Sequence, residues 1–150
     1  PIGAAARASS RGLRPSGEMS IDTLSKLFED TRDRHLLRVR VISAVGLRSA
    51  DVDRKSDPYV VVTIAARGGR RLQKKTKVVR NTRSPEFGET LTFFADELPL
   101  GDLPLHFEVF DHDQLALDKD DHLGWCEVSL AAALERPRCE EPLKPYVEPE

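Results

Sequence analysis

Asp51-Val52-Asp53-Arg54-Lys55-Ser56-Asp57-Pro58-Tyr59-Val60-Val61-Val62-Thr63-Ile64 runs from an acidic loop straight into a β-branched strand. The same junction returns later in the other order. Leu105 to Phe110 reads as a strand and opens into Asp111-His112-Asp113, with Asp118-Lys119-Asp120-Asp121 beyond it. Carboxylates gathered where strands end repel one another unless a cation is present. A hard divalent ion suits them, and Ca²⁺ accepts six to eight oxygens in flexible geometry.

Working outward, the rest of the chain supplies more short strands. Residues 35–43 alternate, with Leu37, Val39 and Val41 on one face. Tyr59 to Ile64 ends at a Gly68-Gly69 turn, and Lys75 to Val79 is closed by the turn residues Asn81 to Pro85. Gly88 to Ala95 follows, then Leu105 to Phe110 and Trp125 to Leu130. Residues 131–136 suit one helical turn, and Leu143 to Val147 a last edge strand flanked by prolines. Short strands with turns between them predict an antiparallel β-sandwich.

The N-terminal part differs. Residues 1–19 are rich in Ala, Arg, Ser, Gly and Pro, which predicts a linker or tail. Over residues 20–34, Ile21, Leu24, Leu27 and Phe28 recur at helical spacing behind a Ser20 cap, which predicts a short helix or a peripheral segment, with a peripheral strand as the alternative. Residues 35–150 hold the main domain. The chain has 150 residues, enough for one core. Its net charge of -2 hides a basic stretch from Arg70 to Arg80 and an acidic one from Asp111 to Asp121, so local fields matter more than the total. Cys126 and Cys139 lack metal-ligand spacing; Cys126 lies in an apolar run and reads as a buried free thiol, pointing to a reducing, cytosolic setting. No apolar run reaches the length of a membrane span.

The ordered pieces resemble a C2 domain over about Leu36 to Val147. They are the strand ending in Gly46-Leu47, an aspartate six residues ahead of Asp57 in Ser56-Asp57-Pro58-Tyr59-Val60, and the basic run Lys75-Thr76-Lys77-Val78-Val79. Asn81 to Glu89, Val109-Phe110-Asp111-His112-Asp113 and Asp120-Asp121-His122-Leu123-Gly124 complete them. The resemblance implies an all-β fold, an eight-stranded antiparallel Greek-key sandwich with calcium-binding loops at one end. It also implies two or three Ca²⁺ held by Asp51, Asp57, Asp111, Asp113 and Asp121. Asp121 takes the last place because it stands three residues before Gly124, as the family's last ligand does. The third loop is two residues longer than in many members, which leaves Asp118 and Asp120 as competitors for that role. The family's two circularly permuted forms, which differ in the end that supplies one strand, are not separated by the sequence.

Two leucines, Leu115 and Leu117, sit at the tip of that loop and are candidates for membrane insertion, with Val52 of the first loop behind them. Folding back onto the sandwich is the alternative for the leucines. Lys75 and Lys77, with Lys74 and Arg70, form a basic patch suited to anionic lipid. Phosphoinositide readers in the family carry lysines where this chain has Val60-Val61-Val62-Thr63. The expected function is Ca²⁺-dependent binding to anionic, phosphatidylserine-like membranes, targeting or tethering a larger parent protein in membrane trafficking. The expected place is the cytoplasm and the cytosolic leaflet, as a monomeric domain. A protein-interaction module with an acidic partner is the alternative.

Other readings fail on spacing. An EF-hand loop started at Asp51 meets Lys55 and Ser56 where an acid and Gly belong, and one started at Asp111 meets Leu115. His35, His106, His112 and His122 form no zinc-ligand pair, and neither GxSxG nor a phosphate-cradling glycine loop is present. No enzymatic activity is expected, and the basic run lacks the interleaved aromatics of nucleic-acid binders.

Overall fold

The computed structural model describes residues 17–26, 36–48, 56–94, 102–113 and 119–146. These form eight strands: β1 Glu18–Lys26, β2 Leu36–Val45, β3 Pro58–Ala65, β4 Arg71–Lys75, β5 Glu86–Phe94, β6 Pro104–Asp111, β7 Asp121–Ser129 and β8 Arg138–Pro142. One short helix, α1 Leu130–Glu135, links β7 to β8. Two antiparallel sheets face each other, ordered β5-β2-β1-β8 and β4-β3-β6-β7. Period-two alternation builds the core between them. Val39 and Val41 from one sheet and Val60, Val62, Phe107 and Val109 from the other are wholly buried.

Over residues 20–26 the chain forms β1, the strand alternative and not the helix. Met19, Ile21 and Thr23 point inward at strand period and are all fully buried, and the strand pairs with β2 on one side and β8 on the other. The inward Thr23 masked the alternation, so Ile21 and Leu24 looked like helical neighbours. Glu18 and Met19, expected in the tail, begin this strand. Residues 1–16 and 27–34 lie outside the described residues. Because β1 precedes β2, the N-terminus supplies the strand that distinguishes the family's two permuted forms.

Two further boundaries moved. β4 occupies Arg71–Lys75 rather than residues 75–79, because Thr76 turns inward and its hydroxyl accepts the Val60 N–H at 3.0 Å in place of a ladder carbonyl. The last strand is Arg138–Pro142, at the edge beside β1. Leu143 is buried, and the chain then crosses to the other sheet, where Lys144 and Trp125 exchange backbone hydrogen bonds of 2.7 and 3.0 Å. The helical turn appears where the alanine run predicted it, capped by the Ser129 hydroxyl on the Ala132 N–H.

Pro58 pairs with Asp111, Asp111 with Asp121, and Ser43 with Glu86. The β2–β3, β4–β5 and β6–β7 connections therefore leave from the same end of the sandwich. Cys126 is buried, and burial pushes its thiol up to about 12. In the native protein it should resist iodoacetamide at pH 8, where an ordinary thiol reacts, and mass spectrometry before and after unfolding checks this. Phe107→Ala should cost about 3–5 kcal/mol in urea denaturation, a large part of the stability of a domain this size.

Candidate functional site

Three neighbouring strand ends place three of the expected ligands side by side. Asp57 immediately precedes β3, Asp111 closes β6 and Asp121 opens β7. Adjacent strands lie about 4.8 Å apart, so carboxylates at matched positions sit close to one another. The Asp57 N–H donates to Asp111 Oδ1 at 2.8 Å, and the His112 N–H donates to the Asp57 carbonyl at 2.9 Å. The middle loop braces this arrangement. Asn81 adopts a left-handed backbone (φ 58), which aims its N–H at Asp57 Oδ1 over 2.7 Å, and the Thr82 N–H donates to the Ser56 carbonyl. Arg83 Nε holds the Leu47 carbonyl at 2.7 Å and ties the middle loop to the end of β2.

Burial raises the Asp111 carboxyl above the ordinary carboxylate range, and the charges of Asp57 and Asp121 raise it further against the Asp57 N–H that lowers it. Asp120 behaves differently. Burial pulls it up, but the Asp113 N–H, the Tyr59 hydroxyl and His112 outweigh that and hold it below the usual range. Its Oδ1 accepts the Asp113 N–H at 2.9 Å, while Oδ2 accepts the Tyr59 hydroxyl and lies 3.7 Å from His112 Nδ1. Both Asp120 oxygens are thus engaged inside the protein. Asp121, next in sequence, is exposed at the start of β7.

Asp113 lies at the base of the third loop, one residue past Asp111 and His112. Asp51, Val52, Asp53, Leu115, Leu117 and the competitor Asp118 fall outside the described residues. Among the described residues no three His, Cys, Asp or Glu side chains close on a common point. The side chains of Asp57, Asp111 and Asp121 at these strand ends are all carboxylates, the chemistry a hard cation takes and a soft one does not.

The basic residues divide between surfaces. Lys75 lies over the Tyr59 ring, 6.0 Å from its centroid, whereas Lys74 reaches the Phe93 ring at 5.8 Å. Lys77 is exposed beyond the end of β4, its N–H donating to Glu89 Oε2, and Arg70 is exposed at the β3–β4 turn. The outer face of this sheet carries a row of rings beside Lys75. Tyr59 stacks on Phe110 at 5.6 Å, Phe110 meets His122 edge-on at 5.0 Å, and His122 stacks on Tyr146 at 4.6 Å. Burial lowers His122, against the Glu108 carboxylate 3.0 Å from its Nε2. Sequence reasoning did not single out Tyr59, Asn81 or Asp120 for a structural role. The available signal was an aromatic residue two positions after Asp57 and another directly before Asp111.

Asp111→Asn keeps the oxygen that accepts the Asp57 N–H and removes the charge that its neighbours oppose. In chelator at pH 7 this variant should melt above the parent. A raised carboxyl binds its proton more tightly folded than unfolded, so the parent loses stability as pH rises through that carboxyl's range. The gap between the two melting curves should therefore close as pH falls.

The C2 domain family model matches residues 35–144. Extended synaptotagmin-1 of Pongo abelii is 39% identical over 131 residues, covering 80% of this chain and 11% of that protein. The Arabidopsis thaliana protein C2-DOMAIN ABA-RELATED 3 is 39% identical over 105 residues, covering 70% of this chain and 56% of that one. The chain thus spans only part of each relative. Among solved structures, a C2 domain of RIM from Drosophila superposes with a TM-score of 0.69 at 18% identity, over 87% of this chain and 100% of that one, a likeness of fold. On sequence and on the two facing four-stranded sheets, the chain belongs to the C2 domain family.

Proposed function

We infer that this domain binds anionic phospholipid membranes in a Ca²⁺-dependent manner, as the targeting or tethering unit of a larger parent protein. The observation that supports it most is the register that sets Asp57, Asp111 and Asp121 at adjoining strand ends, with Asp111 raised by burial first and then by the charges beside it. Asp51, Asp57, Asp111, Asp113 and Asp121 are the proposed ligands of two or three ions. Five carboxylates carry about five negative charges and two calcium ions about four positive ones, so the empty pocket repels a bilayer that the filled one does not. When bound, calcium supplies that neutralising charge and open positions for lipid phosphate oxygens.

The protein's own side chains do the rest. Leu115, Leu117 and Val52 bury apolar surface in the acyl boundary, on the order of 1.5–3 kcal/mol for a fully buried side chain. Lys75 and Lys77 add general attraction of about 1 kcal/mol each near a charged surface. The leaflet this fits is the phosphatidylserine-bearing cytosolic one, approached by a monomeric domain. Among the described residues no helix is long and apolar enough to cross a membrane. The parent's own activity is a separate matter, since the structural neighbours include a human cytosolic phospholipase A2 of which the match covers 13%.

A second reading is a protein-interaction module. The ring-lined outer face from Tyr59 to Tyr146, with Lys75 beside it, favours a partner of mixed acidic and apolar character over a bare headgroup. Co-sedimentation with phosphatidylserine liposomes separates the two. Pelleting in Ca²⁺ and release in chelator is expected, and equal pelleting in both would refute calcium dependence. Asp113→Asn should raise the calcium needed for half-maximal pelleting about tenfold or more. Leu115→Ala combined with Leu117→Ala should weaken membrane affinity about tenfold or more at saturating calcium, read from the same assay.

A further inference from the structure

We propose that Tyr59 and Asp120 pin the base of the third loop, and that Asp120 serves as this positioning group rather than as a cation ligand. The proposal rests on the calcium-site reading above and goes beyond it by separating two adjacent carboxylates of identical chemistry. Asp113 and Asp120 stand at the two ends of the loop, and the hydrogen bond from the Asp113 N–H to Asp120 Oδ1, 2.9 Å long, closes its base. The other Asp120 oxygen is held by the Tyr59 hydroxyl. Tyr59 is itself fixed. Its backbone is in the middle strand pairing of the sheet, opposite Phe110, and its ring stacks on that residue. His112 Nδ1 approaches the same Asp120 oxygen, and the His112 N–H is taken by the Asp57 carbonyl.

Two consecutive N–H groups, those of His112 and Asp113, are therefore anchored to different parts of the fold. One is held by the first loop and the other by β3 through Asp120. This fixes the backbone that carries the Asp113 carboxylate. With both Asp120 oxygens turned inward, Asp121 is left facing solvent beside Asp111. Closing a loop costs more entropy as it lengthens. A carboxylate accepting charge-assisted hydrogen bonds at the base is a strong way to offset that cost before any cation arrives.

The test uses the 150-residue chain, with calcium chloride titrated by calorimetry and amide hydrogen exchange measured in chelator. Tyr59→Phe keeps the stack on Phe110 and removes only the hydroxyl. It should weaken calcium binding about five- to tenfold and speed exchange at the Asp113 amide about tenfold, while core amides such as Phe107 keep their protection. Asp120→Ala should do the same, with the double variant no weaker than Asp120→Ala alone. Asp120→Asn keeps a carbonyl oxygen for the Asp113 N–H and should restore its protection. Unchanged Asp113 exchange in Tyr59→Phe overturns the pin. Uniform acceleration of all amides, or additive losses of affinity, reduces Tyr59 to a structural residue and overturns the positioning role. A parent chain giving no calcium response overturns the proposed function, and the exchange measurement, made without metal, still decides whether Tyr59 holds the loop.

Discussion

Pro58 lies opposite Asp111 and Asp111 opposite Asp121, and a slip of one residue in either pairing would carry a carboxylate to the other face of its sheet. The core resists such a slip. Val60, Val62, Phe107 and Val109 are buried at alternate positions on the same strands, so moving the register would expose all of them together. Apolar packing in the middle of the sandwich thus sets the placement of charge at its end. A register shift between Val109 and Phe110 falls just before the acidic positions and brings both Phe110 and His122 to the outer face.

The loop end costs stability in the absence of a counter-charge, and the fold offsets this with backbone donors. The N–H groups of Asp57, Asn81, His112 and Asp113 all bond to groups in these loops, three of them to aspartate carboxylate oxygens. Such bonds favour the ionised carboxylates over the protonated ones. The described residues at the bases of the three loops are thus cross-braced.

Much of this was legible in the sequence. Alternating apolar residues at Leu37, Val39 and Val41 and at Val60, Val62 and Ile64 announced strands, and the positions of Asp57, Asp111 and Asp121 relative to Pro58 and Gly124 announced their neighbourhood. β1 was hidden because a polar residue, Thr23, fills an inward position and breaks the apolar rhythm. The end of β4 was hidden because a threonine hydroxyl substitutes for a backbone partner. Asp121 was preferred to Asp120 only by its distance from Gly124. The pattern gave no sign that Tyr59, from a distant strand, engages an oxygen of Asp120.

The crossing at Leu143 bears on how the sandwich would answer a pull on both of its ends. Its N–H bonds the Gly17 carbonyl, and Glu18 at the start of β1 faces Pro142 at the end of β8. Entry to and exit from the sandwich are therefore side by side, on antiparallel neighbours. Tension applied through both flanks would load these bonds one after another, as in opening a zip, rather than all at once in shear. The paired bonds between Lys144 and Trp125, backed by the lysine lying 4.8 Å over the indole, come first in line. That clip would part before the core strands do, and it lies on β7, the strand that Asp121 opens.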